Sequence, residues 1–146
     1  MKAISLWQPW ASFMAMGLKK IETRHWSTSY RGPLLIHAAK RKPSKDDLRY
    51  YRDLLFDFGH PFGDVWNLPY GSLICKLHLI DCQRIGHNNG PYHGKLEFHL
   101  GNYDHGRWTW ITDNLKTFDP IPFRGSQGFF NVPDELLVDL EVGDVF

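Results

Sequence analysis

A lysine, a glutamate and an arginine fall close together in the sequence, at Lys19, Glu22 and Arg24. Lysine and arginine bind phosphate, arginine with bidentate geometry. A carboxylate between them can accept a hydrogen bond from a base amino group or take up a proton. Trp7 and Trp26 flank this cluster, and an indole stacked on a base contributes about 1–3 kcal/mol. The cluster favours a nucleic-acid cleft, but a structural ion-pair network beside core indoles would use the same residue types.

The charge of the chain is concentrated around this cluster. The formal net charge is +1, yet the segment 19–52 holds ten basic and three acidic residues, which gives it +7 and leaves −6 for the rest. A polarised chain of this kind can present one basic face to a polyanion. A solvated helix face with turns is the alternative explanation.

Two later segments could also contact phosphate. Lys40 and Arg41 follow a strand-like run, and Arg124 and Ser126 lie in a loop whose glycines permit close backbone approach, although the loop could equally be an ordinary turn. We expect His37, within the run, to be a buried, hydrogen-bonded histidine rather than a catalytic one.

Other kinds of site are not indicated. Cys75 and Cys82 would lie roughly 23 Å apart on one strand, too far for a disulfide, so we expect core thiols. The histidines at 87, 93, 99 and 105 match no zinc spacing. Nucleophile-elbow, phosphate-loop and dinucleotide-binding motifs do not occur. We therefore predict no metal site and no cofactor.

The elements that position these residues are mostly short strands. Alternating or continuous apolar runs predict strands over 3–7, 21–26, 34–39, 72–80, 107–112 and 128–132. Prolines 120 and 122 place an extended segment, 118–123, at a sheet edge. Helical spacing predicts a short helix that opens at Pro9, with Trp10 in the core, a longer one after the N-cap Ser44, and a turn or two at 133–137. Residues 86–106 are expected to form an irregular loop or hairpin.

Size and composition fit one globular domain spanning 1–146. The 146 residues are 42% hydrophobic and 23% charged, and a chain this long buries about 70% of its unfolded surface. The 15% aromatic content suits either a small β core or base stacking. We expect no membrane association, since no apolar run approaches the roughly 18 residues of a membrane span. Without a secretory signal pattern, a cytoplasmic location is expected.

Three segments together resemble a known family. They are Ser-Leu-Trp-Gln-Pro-Trp-Ala-Ser at 5–12, the pattern G-x-K-x-x-E-x-R at 17–24, and Tyr-Arg-Gly-Pro-Leu-Leu-Ile-His-Ala-Ala-Lys at 30–40. They closely resemble the ASCH (activating signal cointegrator homology) domain family. The resemblance implies an α+β fold, a PUA-like small β-barrel with flanking helices, and a cleft beside the barrel that binds RNA or other single-stranded nucleic acid.

The resemblance and the residue chemistry together give a set of candidate site residues. For nucleic-acid binding these are Trp7, Gln8, Lys19, Lys20, Arg24, Trp26, Arg31, Lys40, Arg41, Arg124 and Ser126. Some family members are metal-independent ribonucleases. Here that chemistry would draw its base and its cation from Lys19, Glu22, Tyr30, Lys40 and Ser126.

Two alternatives stay open. A branch of the family hydrolyses acylated cytidine as an amidohydrolase, but it carries threonine where this chain has Glu22. It also has an acid on the strand that corresponds to 71–80, where this chain has Lys76 and His78. A protein-interaction adaptor in transcription or translation regulation would instead predict an exposed apolar patch.

Overall fold

Six strands of the described chain form one sheet, with three helices packed around it. The computed structural model describes residues 1–87 and 89–138. In chain order the elements are β1 (Lys2–Leu6), α1 (Trp10–Ala15), β2 (Ile21–Arg24), β3 (Gly32–Ala38), α2 (Lys45–Asp57), β4 (Ser72–Arg84), α3 (Leu96–His99), β5 (Trp108–Pro122), β6 (Phe130–Asn131) and a 3-10 turn at Asp134–Leu136. The sheet order is β2-β5-β4-β3-β1-β6, so the predicted α+β class is confirmed.

The neighbouring strands β1 and β3 run parallel, with Ala3 beside Leu35 and Ile4 beside Ile36. Both strands are apolar on both faces, as parallel strands covered on both sides are. On one face Ile4 and Ile36 join the main core with Trp110. On the other face Ala3, Leu35 and Leu73 are covered by Val132 and Leu137.

The expected small β-barrel overstates the closure of the sheet, which is open. The strands that would have to close it are too short, since β2 has four residues and β6 has two. The sheet nevertheless curls so far that side chains join its outer strands. Arg24 at the end of β2 donates from Nη2 to the backbone oxygen of Ser5 in β1 at 3.0 Å, and Trp26 packs edge-on against Phe129, with ring centroids 5.5 Å apart. The open mouth lies at this junction.

The two predicted segments at 107–112 and 118–123 are one 15-residue strand, β5. It lies between β2 and β4, yet β2 pairs only with its first four residues, Trp108 to Ile111. Pro120 and Pro122 fall in the half that pairs with β4 on one side. The edge position that the prolines predicted therefore applies to that half of the strand.

Both predicted helices, α1 and α2, begin where the sequence indicated. Ser44 caps α2 by accepting from the backbone N–H of Asp47 at 3.1 Å. Pro9 directly precedes α1, whose Phe13 packs with Leu48 and Leu55 of α2 in a second apolar cluster. These contacts fix α1 and α2 beside the mouth of the sheet.

The segment 86–106, expected to be irregular, contains α3 and is fastened to β2. The Glu97 carboxylate accepts from the backbone N–H groups of Lys20 and Ile21, at 2.9 Å and 3.1 Å. Asn102 donates its backbone N–H to Thr23 Oγ1 at 3.2 Å. The segment thus covers the free edge of β2 and becomes a wall of the mouth.

The cysteine prediction can be compared with the structure directly. Cys75 and Cys82 are free thiols on β4, as predicted, and burial raises the pKa of Cys75 to about 12. In the described part of the chain no helix has the length and apolarity needed to cross a bilayer. Among the same residues no three His, Cys, Asp or Glu side chains are placed to hold a metal ion.

Candidate functional site

Two adjoining cavities form one groove at the mouth of the sheet. Their volumes are about 450 Å³ and about 970 Å³. Both are lined by Ser5, Trp7, Arg24 and His25, which therefore lie along the boundary between them. The smaller cavity, here the Glu22 lobe, is completed by Leu6, Trp10, Glu22, Thr23, Tyr51, Leu100, Gly101, Asn102 and Arg107. The larger, the Arg124 lobe, is completed by Trp26, His37, Ala39, Lys40, Arg124, Gly125, Ser126, Gln127 and Gly128.

The carboxylate of the Glu22 lobe is held between two cations. Glu22 Oε1 lies 3.4 Å from Lys19 Nζ and accepts from the backbone N–H of Thr23 at 3.0 Å. Glu22 Oε2 lies 3.6 Å from Arg24 Nε. The predicted cluster of lysine, glutamate and arginine is thus real, and it orients Glu22 and Arg24 along the groove.

Lys19 takes a different place from the one expected of a phosphate ligand. It is 1% exposed and lines neither lobe. Its ammonium donates to the backbone oxygen of Ile21 and faces Glu22. A buried lysine with these partners supports the wall from behind, because its charge is already satisfied within the protein.

The Glu22 lobe also contains residues that the sequence analysis missed. Trp10, which was expected in the core, is half-buried and meets Tyr51 edge-on, with ring centroids 5.5 Å apart. Arg107 donates from Nη2 to the backbone oxygen of Thr23 at 3.1 Å, and Asn102 arrives with the segment 86–106. No local motif marks these residues, since only the sheet register and the fastening of that segment bring them to the lobe.

The Arg124 lobe is cationic. Arg24, Lys40 and Arg124 line it, and the described residues around it include no Asp or Glu. Within the described chain, neither Lys40 nor Arg124 lies within ion-pair distance of an acid. Ser126 lines the same lobe, so three of the sequence candidates from two distant segments, Lys40, Arg124 and Ser126, are brought together.

Aromatic side chains border both lobes. Trp7 is 56% exposed, and the guanidinium of Arg41 lies 3.8 Å from its ring centroid. Trp26 lines the Arg124 lobe while its ring packs edge-on against Trp110 at 4.6 Å. Trp26 therefore belongs both to the core and to the groove, and Trp7 is the indole that is open to a ligand.

A serine and a histidine meet in the wall of the Arg124 lobe. Ser5 Oγ lies 2.9 Å from His37 Nδ1, and His37 Nε2 lies 2.7 Å from the backbone oxygen of Phe123. Burial lowers the pKa of His37 below its ordinary value, although the bond to Phe123 opposes this shift. His37 is therefore buried and hydrogen-bonded, as predicted, and neutral near pH 7.

Besides Lys19 and Arg41, four other sequence candidates lie outside the two lobes. Gln8 is buried, accepts from the backbone N–H of Ser12 at the start of α1 and donates to the oxygen of Pro69. The Tyr30 hydroxyl donates to the oxygen of Pro33 at 2.6 Å, and burial raises its pKa. Arg31 lies 3.6 Å from Asp81, and Lys20 lines a separate small cavity beside β5. These side chains stabilise the fold or lie on other surfaces.

A profile of the ASCH domain matches residues 4–122 of the chain. The chain belongs to the ASCH domain family. Over 86 residues, 54% of this chain, it is 35% identical to activating signal cointegrator 1 of Homo sapiens and 34% identical to that of Mus musculus. The matched part is 14% of the length of each, so this ASCH domain spans only a small part of those curated relatives.

Solved structures share the fold. ASCH from Zymomonas mobilis superimposes with a TM-score of 0.58 over 97% of this chain and 93% of that one, at 16% identity. A tyrosine-to-phenylalanine mutant of the Zymomonas mobilis protein gives 0.58 over 97% and 96%, at 15% identity. At such low identity the likeness shows that this ASCH domain has the architecture of those chains.

Proposed function

We propose that this ASCH domain binds single-stranded or structured RNA in the groove, with phosphates in the Arg124 lobe and a base at the boundary with the Glu22 lobe. The observation that carries the proposal is the meeting of Arg24, Lys40 and Arg124 around one cavity with no carboxylate in its described lining. The family is associated with RNA binding, which agrees with this use of the groove.

The charges support phosphate as the ligand group. Arg24 comes from β2, Lys40 follows β3 and Arg124 follows β5. Arg24 is paired with Glu22, but Lys40 and Arg124 are two unpaired cations on one cavity, so an anion between them removes their mutual repulsion as well as adding charge-assisted hydrogen bonds. Phosphate oxygens accept from all three at once.

The boundary between the lobes supports a base beside that phosphate. Trp7 is exposed there and carries Arg41 over its ring, an arrangement that stacks readily on a base. Glu22 lies in the adjoining lobe, where its carboxylate can accept from an exocyclic amino group. A protein that contacts phosphates in one lobe and a base at the next binds nucleotides whose bases are unstacked from a duplex.

The test is the binding of a fluorescently labelled single-stranded oligoribonucleotide, followed by anisotropy at increasing salt. The affinity should fall steeply with salt, because released counterions accompany each neutralised phosphate. Arg124→Ala should weaken binding about tenfold, since one charge-assisted hydrogen bond contributes about 1.5 kcal/mol. Arg52→Ala, which removes an exposed cation of α2 outside both lobes, is the matched control. Equal losses in the two variants, or an affinity that does not depend on salt, would contradict the proposal.

Metal-independent RNA cleavage is a second, narrower candidate. The observation that favours it is the presence of Lys40 and Ser126 in one lobe, where a cation and a hydroxyl would both reach a bound phosphodiester. Lys19 and Tyr30 do not share that lobe. Labelled RNA incubated with chelator should be cleaved by the wild-type protein and spared by Lys40→Ala. Cleavage that persists equally in the variant would identify a contaminant.

The remaining alternatives stay predictions. For an amidohydrolase of modified cytidine, the described β4 strand carries Lys76 and His78 within 72–80 where that branch has an acid. A protein-interaction adaptor would use an exposed apolar patch for its partner, and this alternative remains a prediction.

A further inference from the structure

The Ser5 hydroxyl and the His37 ring are set in a defined chemical relation by the sheet. The two residues are register partners on the parallel strands β1 and β3, which brings Ser5 Oγ to 2.9 Å from His37 Nδ1. The far nitrogen, Nε2, lies 2.7 Å from the backbone oxygen of Phe123. Because a carbonyl oxygen only accepts, Nε2 carries the ring hydrogen. Nδ1 then presents its lone pair to the Ser5 hydroxyl.

The ring has no room to turn away from this position. His37 is 2% exposed, and Phe130 packs edge-on against it with ring centroids 5.7 Å apart. A Cβ placed on Gly125 would lie 2.6 Å from His37 Cε1 and 2.7 Å from Nδ1. The backbone of Gly125 therefore rests against the imidazole, and a side chain at that position would displace it.

Both residues line the Arg124 lobe, where Ser5 is half-buried and His37 is buried. Ser5 lines both lobes, and Arg24 donates from Nη2 to the Ser5 backbone oxygen at 3.0 Å. The other titratable groups that line the Arg124 lobe with His37 are Arg24, His25, Lys40 and Arg124. A nucleophile, a hydrogen-bonded base, a group that orients the base and a neighbouring cation are the parts of a serine-dependent acyl-transfer site.

We infer that Ser5 and His37 form a nucleophile and general-base pair that hydrolyses carboxylic esters of anionic molecules. Ser5 Oγ attacks the ester carbonyl carbon while Nδ1 takes the hydroxyl proton. The bond from carbon to the alcohol oxygen then breaks, and the leaving alkoxide receives that proton. Water next attacks the acyl group on Ser5 as Nδ1 removes a proton from it. The carboxylic acid leaves, and the proton returns to Oγ.

The charged and polar groups around the Ser5–His37 pair determine which substrates it can accept. Arg24, Lys40 and Arg124 favour an ester that carries phosphate or a similar anion. The orienting group is an uncharged carbonyl, which stabilises an imidazolium less than an aspartate does. An alcohol, which leaves more readily than an amine, therefore suits the pair. This activity does not require RNA to be the ligand, although both would use the Arg124 lobe.

The first experiment treats the folded protein with an alkyl fluorophosphonate, which forms a stable bond to activated serine hydroxyls as fluoride leaves, and maps the adduct by peptide mass spectrometry. We expect the adduct on Ser5. Ser29→Ala, a change on the exposed segment between β2 and β3, should label like the wild type. An adduct absent from Ser5 in the wild-type protein overturns the inference, whatever the variants do.

The second experiment measures turnover of p-nitrophenyl acetate and of an acetate ester of a phosphorylated phenol. Ser5→Ala, which removes the nucleophile, and His37→Gln, which removes the base, should each slow release of the phenol about 100-fold, within the range that a positioned general base contributes. Ser5→Cys should restore acyl transfer. The wild-type rate should rise with pH to a plateau whose midpoint lies below 6.5, since the pKa of His37 is lowered. Equal rates in folded Ser5→Ala and wild type would overturn the pair.

The two proposals can fail separately. If the wild-type protein shows no esterase activity but binds RNA in a salt-sensitive way, only the acyl-transfer site is rejected. Esterase activity at Ser5 in a protein that does not bind RNA rejects only the proposed function. Thermal melting of each variant confirms that it is folded before either result is used.

Discussion

The two lobes of the groove differ in how their charges are satisfied. In the Glu22 lobe, Glu22 lies between Lys19 and Arg24, and Arg107 donates to a backbone oxygen. In the Arg124 lobe, Lys40 and Arg124 have no acid within ion-pair distance among the described residues. Charged side chains that are paired within the protein stabilise the wall of the groove, whereas unpaired cations around a cavity are available to bind an anion. The G-x-K-x-x-E-x-R motif thus contributes Arg24 and a paired wall, whereas the unpaired charges come from Lys40, after β3, and Arg124, after β5.

The largest effect should come from removing Lys19, the buried cation that faces Glu22 from behind the wall of the groove. Lys19→Ala leaves the half-buried Glu22 without its closest ammonium and should lower the free energy of unfolding by about 3 kcal/mol. Urea denaturation measures this. Lys20→Ala, in the exposed neighbour, should change it by less than about 0.5 kcal/mol. A Lys19→Ala protein as stable as the wild type but deficient in RNA binding would reverse the roles assigned to the two lobes.

The next effect concerns binding rather than stability. Lys40→Ala with Arg124→Ala should weaken RNA binding about 100-fold, at about 1.5 kcal/mol for each lost charge-assisted bond. The slope of log affinity against log salt should become shallower, because the two cations that neutralise the phosphate charge in this lobe are removed. Lys45→Ala with Arg52→Ala removes the same charge from exposed positions of α2. If that control loses as much affinity, the cations act only through net charge, and the Arg124 lobe is not the RNA-binding site.

A smaller loss should follow the removal of the exposed indole at the boundary. Trp7→Ala should weaken RNA binding about tenfold without changing the salt slope, because stacking contributes about 1–3 kcal/mol per base and neutralises no phosphate. Trp66 offers a control, since it is 51% exposed and has Arg49 above its ring, although at 5.7 Å from the centroid rather than the 3.8 Å of Arg41 from Trp7. Trp66→Ala should bind like the wild type. Similar losses in both would indicate general hydrophobic adhesion.

The smallest effect is a pH dependence of stability from His37. Its pKa is lowered from 6.5 by burial, so the unfolded chain takes up a proton at a higher pH than the folded one. The unfolded state then binds more protons as the pH falls below about 6.5, and stability decreases in that range. His37→Gln should flatten this part of the curve in denaturation series at successive pH values. If the variant and the wild-type protein gave the same curve, His37 would not be a buried, neutral group in the folded protein.

Local patterns predicted most of the elements. Ser44 marked the start of α2, and the alternation around Ile4, Leu34 and Ile36 marked the buried strands, because caps and periodicity act over a few residues. Closure of the sheet was predicted wrongly, since the lengths of β2 and β6 depend on pairings across the chain.

The site was predicted in part for the same reason. Lys40, Arg124 and Ser126 were found as cationic or glycine-flanked segments, and the structure places them in one lobe. The burial of Lys19 and Gln8 follows from tertiary packing, which their spacing does not reveal. Asn102 reaches the groove because Glu97 fastens its segment to β2, and Arg107 reaches it because it directly precedes the residues of β5 that pair with β2. No local pattern around either residue predicts these contacts.

The most direct test of the account is a crystal structure of the domain with a short single-stranded oligoribonucleotide. We predict a phosphate held by Arg24, Lys40 and Arg124, with the adjoining base stacked on Trp7. A bound oligonucleotide that lies elsewhere, for example along α2, and leaves the Arg124 lobe without a phosphate would contradict the account.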